Sequence, residues 1–242
     1  MKYAFAALSL ASAALAAEQI VGGTEGRIED FPYQITLLSS GRFICGGSIL
    51  DETHVVTAAH CTDGASARSL SIRAGSNFAS SGGTVVQVAQ IHQNPSYNPS
   101  TTDNDISVLE LAEPLTFGSG VAAIDLASSD PSAGTIATVS GFGATSEGGA
   151  SSSRLLYVDV PIVSNSECAS LYSGFNEITD AMICAGEDNG GEDACQGDSG
   201  GPLVANGELV GVVSWGNGCA RPGYPGVYSS VAYLRDFVES VL

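Results

Sequence analysis

Gly191-Glu192-Asp193-Ala194-Cys195-Gln196-Gly197-Asp198-Ser199-Gly200-Gly201-Pro202 carries four glycines and a proline in twelve residues. Glycine costs roughly 0.5–1 kcal/mol relative to alanine in a helix or strand interior, so the segment is a loop that exploits glycine's freedom of backbone shape. Within it a serine stands between an aspartate and two glycines. The fold turns on what the rest of the chain can bring to that serine.

An isolated serine hydroxyl is a weak nucleophile near neutral pH; it needs a base within hydrogen-bond reach and a third group to orient the base. Bases are scarce, because the only histidines are His54, His60 and His92. His60 follows a strand-like run in Val55-Val56-Thr57-Ala58-Ala59-His60-Cys61, beside a cysteine able to anchor it. Asp105, in Asn104-Asp105-Ile106-Ser107-Val108-Leu109, lies at the mouth of an apolar strand, where it could be buried under an imidazole. Asp103 reads as a solvated loop aspartate.

Short apolar or alternating runs recur along the chain: Gln34–Leu38, Ser48–Leu50, Val85–Ile91, Ile106–Leu111, Ile136–Val139 and Leu209–Ser214. Turn clusters such as Ser80-Ser81-Gly82-Gly83 and Glu147-Gly148-Gly149-Ala150 separate them. This pattern predicts an all-β sandwich or barrel. Roughly 220 residues suffice for one large β domain or two small barrels. Over Ser230–Leu242 the pattern changes: Val231, Leu234, Phe237, Val238 and Val241 recur at helical spacing and predict a closing amphipathic helix packed on the core.

The chain opens with Met1-Lys2-Tyr3, an apolar run from Ala4 to Leu15 and the small-residue site Ala14-Leu15-Ala16, which read as a secretory signal over residues 1–16. The apolar run is far shorter than the roughly 20 residues of a membrane span. Six cysteines, an even number with no C-x-x-C pair, predict three disulfides in an exported protein, with the connectivity left open by the count. Acidic residues number 26 against 8 basic, and the single lysine is Lys2. Such a surface repels phosphate, which excludes nucleic acid and anionic membranes as partners.

Five motifs stand in one order: Ile20-Val21-Gly22-Gly23; Thr57–Cys61; Asp105-Ile106 with Leu109; Gly197-Asp198-Ser199-Gly200-Gly201-Pro202; and Ser214-Trp215-Gly216. Together they resemble the chymotrypsin-like serine proteases over nearly all of residues 20–242. The resemblance implies two orthogonal six-stranded antiparallel β-barrels, about 20–121 and about 122–229, followed by the helix at about 230–242. It implies a catalytic His60, Asp105 and Ser199, and an oxyanion hole made by the N–H groups of Gly197 and Ser199. It pairs Cys45 with Cys61, Cys168 with Cys184, and Cys195 with Cys219. Residues 17–19 become a short propeptide; cleavage before Ile20 frees an ammonium to pair with Asp198. Gln19 precedes that bond, so an Arg/Lys-directed enzyme would not activate itself.

The same resemblance places Asp193 at the base of the pocket for the residue before the cut bond, selecting arginine or lysine. Ala194, Gln196, Ser214, Trp215, Gly216 and Gly226 complete the substrate-binding set. With alanine rather than serine at 194, a preference for arginine is expected. Protein or peptide substrates and protein protease inhibitors are the implied partners of a monomeric secreted enzyme without cofactor. No acidic residue lies between Arg73 and Gln93, where the family's calcium loop falls when present, so no metal is expected. Phe142 and His54 stand where tryptophans are common and read as packing variants. Gly143–Gly149 and Ser214–Pro222 resemble microbial, especially fungal, trypsins. Two other classes compete: a homologue that has lost catalysis and only binds, and a purely structural disulfide-braced β protein. Chymotrypsin- or elastase-like cleavage is the alternative within the enzyme class, disfavoured by Asp193.

Overall fold

The computed structural model describes residues 20–242, so the signal and propeptide assignments lie outside the described residues. In chain order the elements are β1 (Thr24–Glu25), β2 (Gln34–Ser39), β3 (Arg42–Ile49), β4 (His54–Thr57), β5 (Leu70–Ala74), β6 (Thr84–Gln93), β7 (Ser107–Leu111), β8 (Asp125–Leu126), β9 (Ile136–Gly141), β10 (Leu156–Val163), α1 (Asn165–Leu171), β11 (Met182–Ala185), β12 (Pro202–Ala205), β13 (Glu208–Trp215), β14 (Gly226–Ser230) and α2 (Val231–Glu239).

Alternation is clearest in β5, where Leu70, Ile72 and Ala74 turn inward between partly exposed Ser71 and Arg73. In β10, Leu156, Val158, Val160 and Ile162 do the same. One buried face per strand suits a sheet wrapped around its own core, and here the strands close into two barrels. The first closed barrel runs β2-β3-β4-β7-β6-β5. The second runs β10-β11-β14-β13-β12-β9 and closes through the antiparallel pairing of β10 with β9.

Two short strands are added to the second barrel: β1 pairs with β10, and β8 runs parallel to β13. The first described residues therefore pack on the second barrel although they precede the first. Val21 extends this docking by a β-bridge to Asp193.

Strand β13 is apolar on both faces for a reason. Val210 and Val213 fill the second barrel, whereas Leu209 and Val212 join a cluster containing Val231, Leu234 and Val238 of α2. The helix begins where Ser230 Oγ accepts the Tyr233 N–H, and Phe237 and Val241 complete its stripe at the edge of that cluster. The shorter α1 lacks such a stripe: Cys168 alone is buried, held to β11 by its disulfide to Cys184, and Ser164 caps the start.

Among the described residues no helix is long and apolar enough to cross a membrane.

Candidate active site

Cys45 on β3 and Cys61 form a disulfide that pins the turn after β4, and His60 stands on that turn. Asp105 enters the barrel junction just before β7, at 0% exposure. Its carboxylate accepts the His60 backbone N–H at 2.8 Å on Oδ1 and lies 2.7 Å from His60 Nδ1 on Oδ2. Ser214 Oγ donates to the same Oδ2 at 2.5 Å. A buried carboxylate in contact with Nδ1 fixes the proton there and leaves Nε2 as the acceptor.

Ser199 belongs to the opposite barrel but is held against this turn. Its carbonyl accepts the Gly46 N–H at 2.8 Å, and the next N–H, of Gly200, donates to Val213 at 2.8 Å. A Cβ at Gly200 would stand 2.2 Å from Thr57 Oγ1 and 3.1 Å from Ala58 N, so only glycine lets the serine loop approach the histidine turn this closely. Both hydrogen bonds of His60 go to Asp105, and none reaches Ser199 Oγ among the described residues. Such contacts commonly tighten only with substrate bound.

Gly197 has φ 99°, a conformation glycine adopts without strain, and a Cβ there would meet Gly143 Cα at 3.1 Å. The N–H groups of Gly197 and Ser199 make no backbone hydrogen bond among the described residues, and they flank one turn. Asp198, between them, is fully buried: Oδ1 accepts from Gly143 N at 2.7 Å and Oδ2 from Cys195 N at 3.0 Å. Burial pushes its pKa up to about 6, against the pull of those two N–H groups. Ile20 is buried at 0% exposure in the second-barrel core.

Beside Ser199 opens a pocket of about 150 Å³, lined by Asp193, Ala194, Gln196, Ser214, Trp215, Gly216 and Gly226 among others. The sequence-assigned substrate residues thus share one cavity. The third disulfide, Cys195–Cys219, ties the serine segment to the pocket's far wall. Asp193 Oδ2 accepts the Ala220 N–H at 2.8 Å, whereas Oδ1 is buried and has no hydrogen-bond partner among the described residues. Burial raises this carboxyl to about 7, opposed by the Ala220 and Ala194 N–H groups and assisted by the nearby Asp198 charge. Trp215 also lines this pocket, with Tyr172 edge-on at 5.0 Å and Phe175 stacked at 6.3 Å.

Further residues take part. Tyr228 on β14 lines the pocket, and its hydroxyl is another buried group without a partner among the described residues; its spacing two residues after Gly226 on a strand was the available signal. Ser229 donates to the Asp105 carbonyl at 2.7 Å. Gln34 and Ser140 join the barrels through a buried 2.7 Å bond. Asp103 is partly exposed, as a loop aspartate should be, and also accepts from Thr179 Oγ1 at 2.6 Å across the barrels. His54 is more than a packing variant, since its Nδ1 lies 2.9 Å from Asp51 Oδ2. Phe142 does pack, at 2% exposure among Ile28, Phe31, Ala79 and Leu155.

A paired His and Asp on one barrel, facing a serine on a glycine turn of the other, define a class of hydrolase that works through an activated serine. The trypsin family model matches residues 20–238, and the chain belongs to that family. It is 54% identical over 222 residues to trypsin beta of Drosophila erecta, covering 91% of this chain and 87% of that one. Trypsin alpha of the same fly is 52% identical over 224 residues, covering 92% and 87%. Trypsin alpha-4 of Lucilia cuprina is 50% identical over 223 residues, covering 92% and 87%. The protein is a serine endopeptidase acting on proteins or peptides. The fungal affinity suggested by Gly143–Gly149 and Ser214–Pro222 is not borne out, because these relatives are insect enzymes; glycine-rich loop wording is a poor guide to lineage.

Proposed function

We propose that the chain is a secreted trypsin-type endopeptidase, made as a precursor and cleaving after arginine in preference to lysine. The observation that carries this reading is the unpartnered Asp193 Oδ1 at the base of the pocket. A buried carboxylate oxygen with no donor is costly until a cation arrives, and a guanidinium supplies both charge and hydrogen bonds. The trypsin names of the insect relatives agree with it.

In the reaction, Ser199 Oγ attacks the scissile carbonyl while His60 Nε2 takes its proton and then delivers it to the leaving amine. Asp105 holds the tautomer of His60 and stabilises the imidazolium. The N–H groups of Gly197 and Ser199 receive the oxyanion; losing one such donor elsewhere costs about 3–4 kcal/mol. Water then hydrolyses the acyl-enzyme by the same proton route.

Activation is cleavage before Ile20. The freed ammonium pairs with Asp198, whose burial without a cation holds its carboxyl above the usual carboxylate range. That pairing sets the adjacent oxyanion turn. The enzyme acts as a monomer, and protein inhibitors that present arginine or lysine would occupy the pocket.

A fluorophosphonate probe tests the chemistry. Protein beginning at Ile20 should be labelled on Ser199, the Ser199→Ala variant should not, and His60→Ala should label far more slowly. Equal labelling of parent and His60→Ala would remove His60 from its role.

A further inference from the structure

Asp105 is held from the second barrel at two points. Ser214, on β13, bonds its carboxylate; Ser229, on β14, bonds its backbone carbonyl at 2.7 Å over a separation of 124 residues. The two serines come from paired strands, in a register that sets Val212 opposite Ser229 and Val213 opposite Tyr228. Ser229 is 2% exposed and Asp105 0%, so no solvent stands ready to replace the hydroxyl. Immediately before it, Gly226, Val227 and Tyr228 line the specificity pocket.

The contacts divide the work. From within the first barrel, His60 engages the carboxylate by backbone and ring. From the second barrel, Ser214 fixes the carboxylate and Ser229 fixes the backbone that carries it. The reciprocal tie is the Gly46 N–H to the Ser199 carbonyl at 2.8 Å. An acid on one barrel and a nucleophile on the other must keep register to within fractions of an ångström, since small misplacements at a catalytic constellation cost large factors in rate.

We propose that Ser229 is a positioning residue of this enzyme, registering Asp105, and through it His60, against Ser199 by donating to the Asp105 carbonyl across the barrel junction. The inference rests on the triad reading above. Without the hydroxyl the carbonyl is left buried and unbonded, and the Asp105 segment shifts to find another donor.

The test compares parent and Ser229→Ala, both beginning at Ile20. Peptide arginyl amides give kcat and KM, an arylamidine that fills only the pocket gives Ki, and proton NMR follows the low-field His60 Nδ1–H resonance. Loss of about one hydrogen bond's worth lowers kcat roughly tenfold. KM and Ki stay within about twofold, and the Nδ1–H resonance moves. Unchanged kcat and resonance overturn the proposal, as does a Ki that worsens in step with kcat, since that pattern means only that β14 and the pocket have loosened. If Ser229→Ala does not accumulate as folded protein, Ser229→Cys, similar in shape but a weak donor, is judged by the same outcomes. An inactive parent overturns the triad reading and this inference together; an active parent with an unaffected variant overturns this inference alone.

Discussion

Replacing Asp193 by asparagine removes one charge and almost no volume from the floor of the pocket. With the amide oxygen on the Ala220 N–H, now held by Asp193 Oδ2 at 2.8 Å, the amide NH₂ falls where the unpartnered Oδ1 lies. A donor then faces the incoming guanidinium. Breaking a buried charged hydrogen-bonded pair costs about 3–5 kcal/mol, and each 1.4 kcal/mol is about tenfold, so kcat/KM for arginyl amides should fall by roughly 10² to 10⁴. Stability should move the other way. Burial lifts the Asp193 carboxyl from 3.8 to about 7, so the folded protein binds its proton more tightly than the unfolded chain. Stability attributable to this group is therefore greatest at low pH and is lost as pH rises from about 4 to about 7, a penalty on the order of 4 kcal/mol. Asparagine escapes it. Without added ligand, Asp193→Asn should melt above the parent at pH 8 and near it at pH 4, while an arylamidine should raise the parent's Tm at pH 8 and leave the variant's unchanged. Arginyl kcat/KM within about threefold of the parent's would refute the argument from the unpartnered oxygen.

Ala194→Ser should raise kcat/KM for lysyl amides about tenfold and change arginyl amides little, because a hydroxyl beside Asp193 gives the shorter ammonium a second acceptor; matched Arg and Lys peptides on both forms check it. Protein retaining Gln19 should melt below protein beginning at Ile20, and the gap should widen from pH 5 to pH 8: Asp198, raised to about 6 by burial, folds neutral at low pH and carries an unpaired charge at high pH unless the ammonium is present. Scanning calorimetry of both forms reads this, and a pH-independent gap would contradict it. Chelator should leave Tm unchanged, whereas Arg73→Met should lower it by a few degrees, since the Arg73 guanidinium donates to the Ser80 and Gly82 carbonyls of the loop that has no carboxylates.

The parts of this architecture visible in the sequence were those written locally. Apolar or alternating runs marked β2, β6, β7, β9 and β13, helical spacing marked α2, and the glycine turn announced the nucleophile loop because backbone shape there demands glycine. The helix α1 was silent: its residues Asn165-Ser166-Glu167-Cys168-Ala169-Ser170-Leu171 carry no stripe, and a disulfide does the anchoring. Pairings between distant segments were equally hidden. Neither the docking of Thr24–Glu25 on β10, nor the bond of Ser229 to the Asp105 carbonyl, nor that of Thr179 to Asp103 leaves any trace in a single sequence, since each depends on how two separately closed barrels meet. Asp103 keeps the partial exposure of a polar loop, and only its bond from Thr179 was invisible.

Specificity at the cut bond shows most directly whether Asp193 reads the substrate. Protein beginning at Ile20 should be given a series of peptide amides that differ only in the residue before the scissile bond. Release should be rapid after arginine, about tenfold slower after lysine, and slower than after arginine by a factor of about 10³ or more after phenylalanine, leucine, alanine or glutamate. Comparable or faster release after phenylalanine or alanine would mean that the carboxylate at 193 does not read the substrate and that the enzyme is not a trypsin-type peptidase.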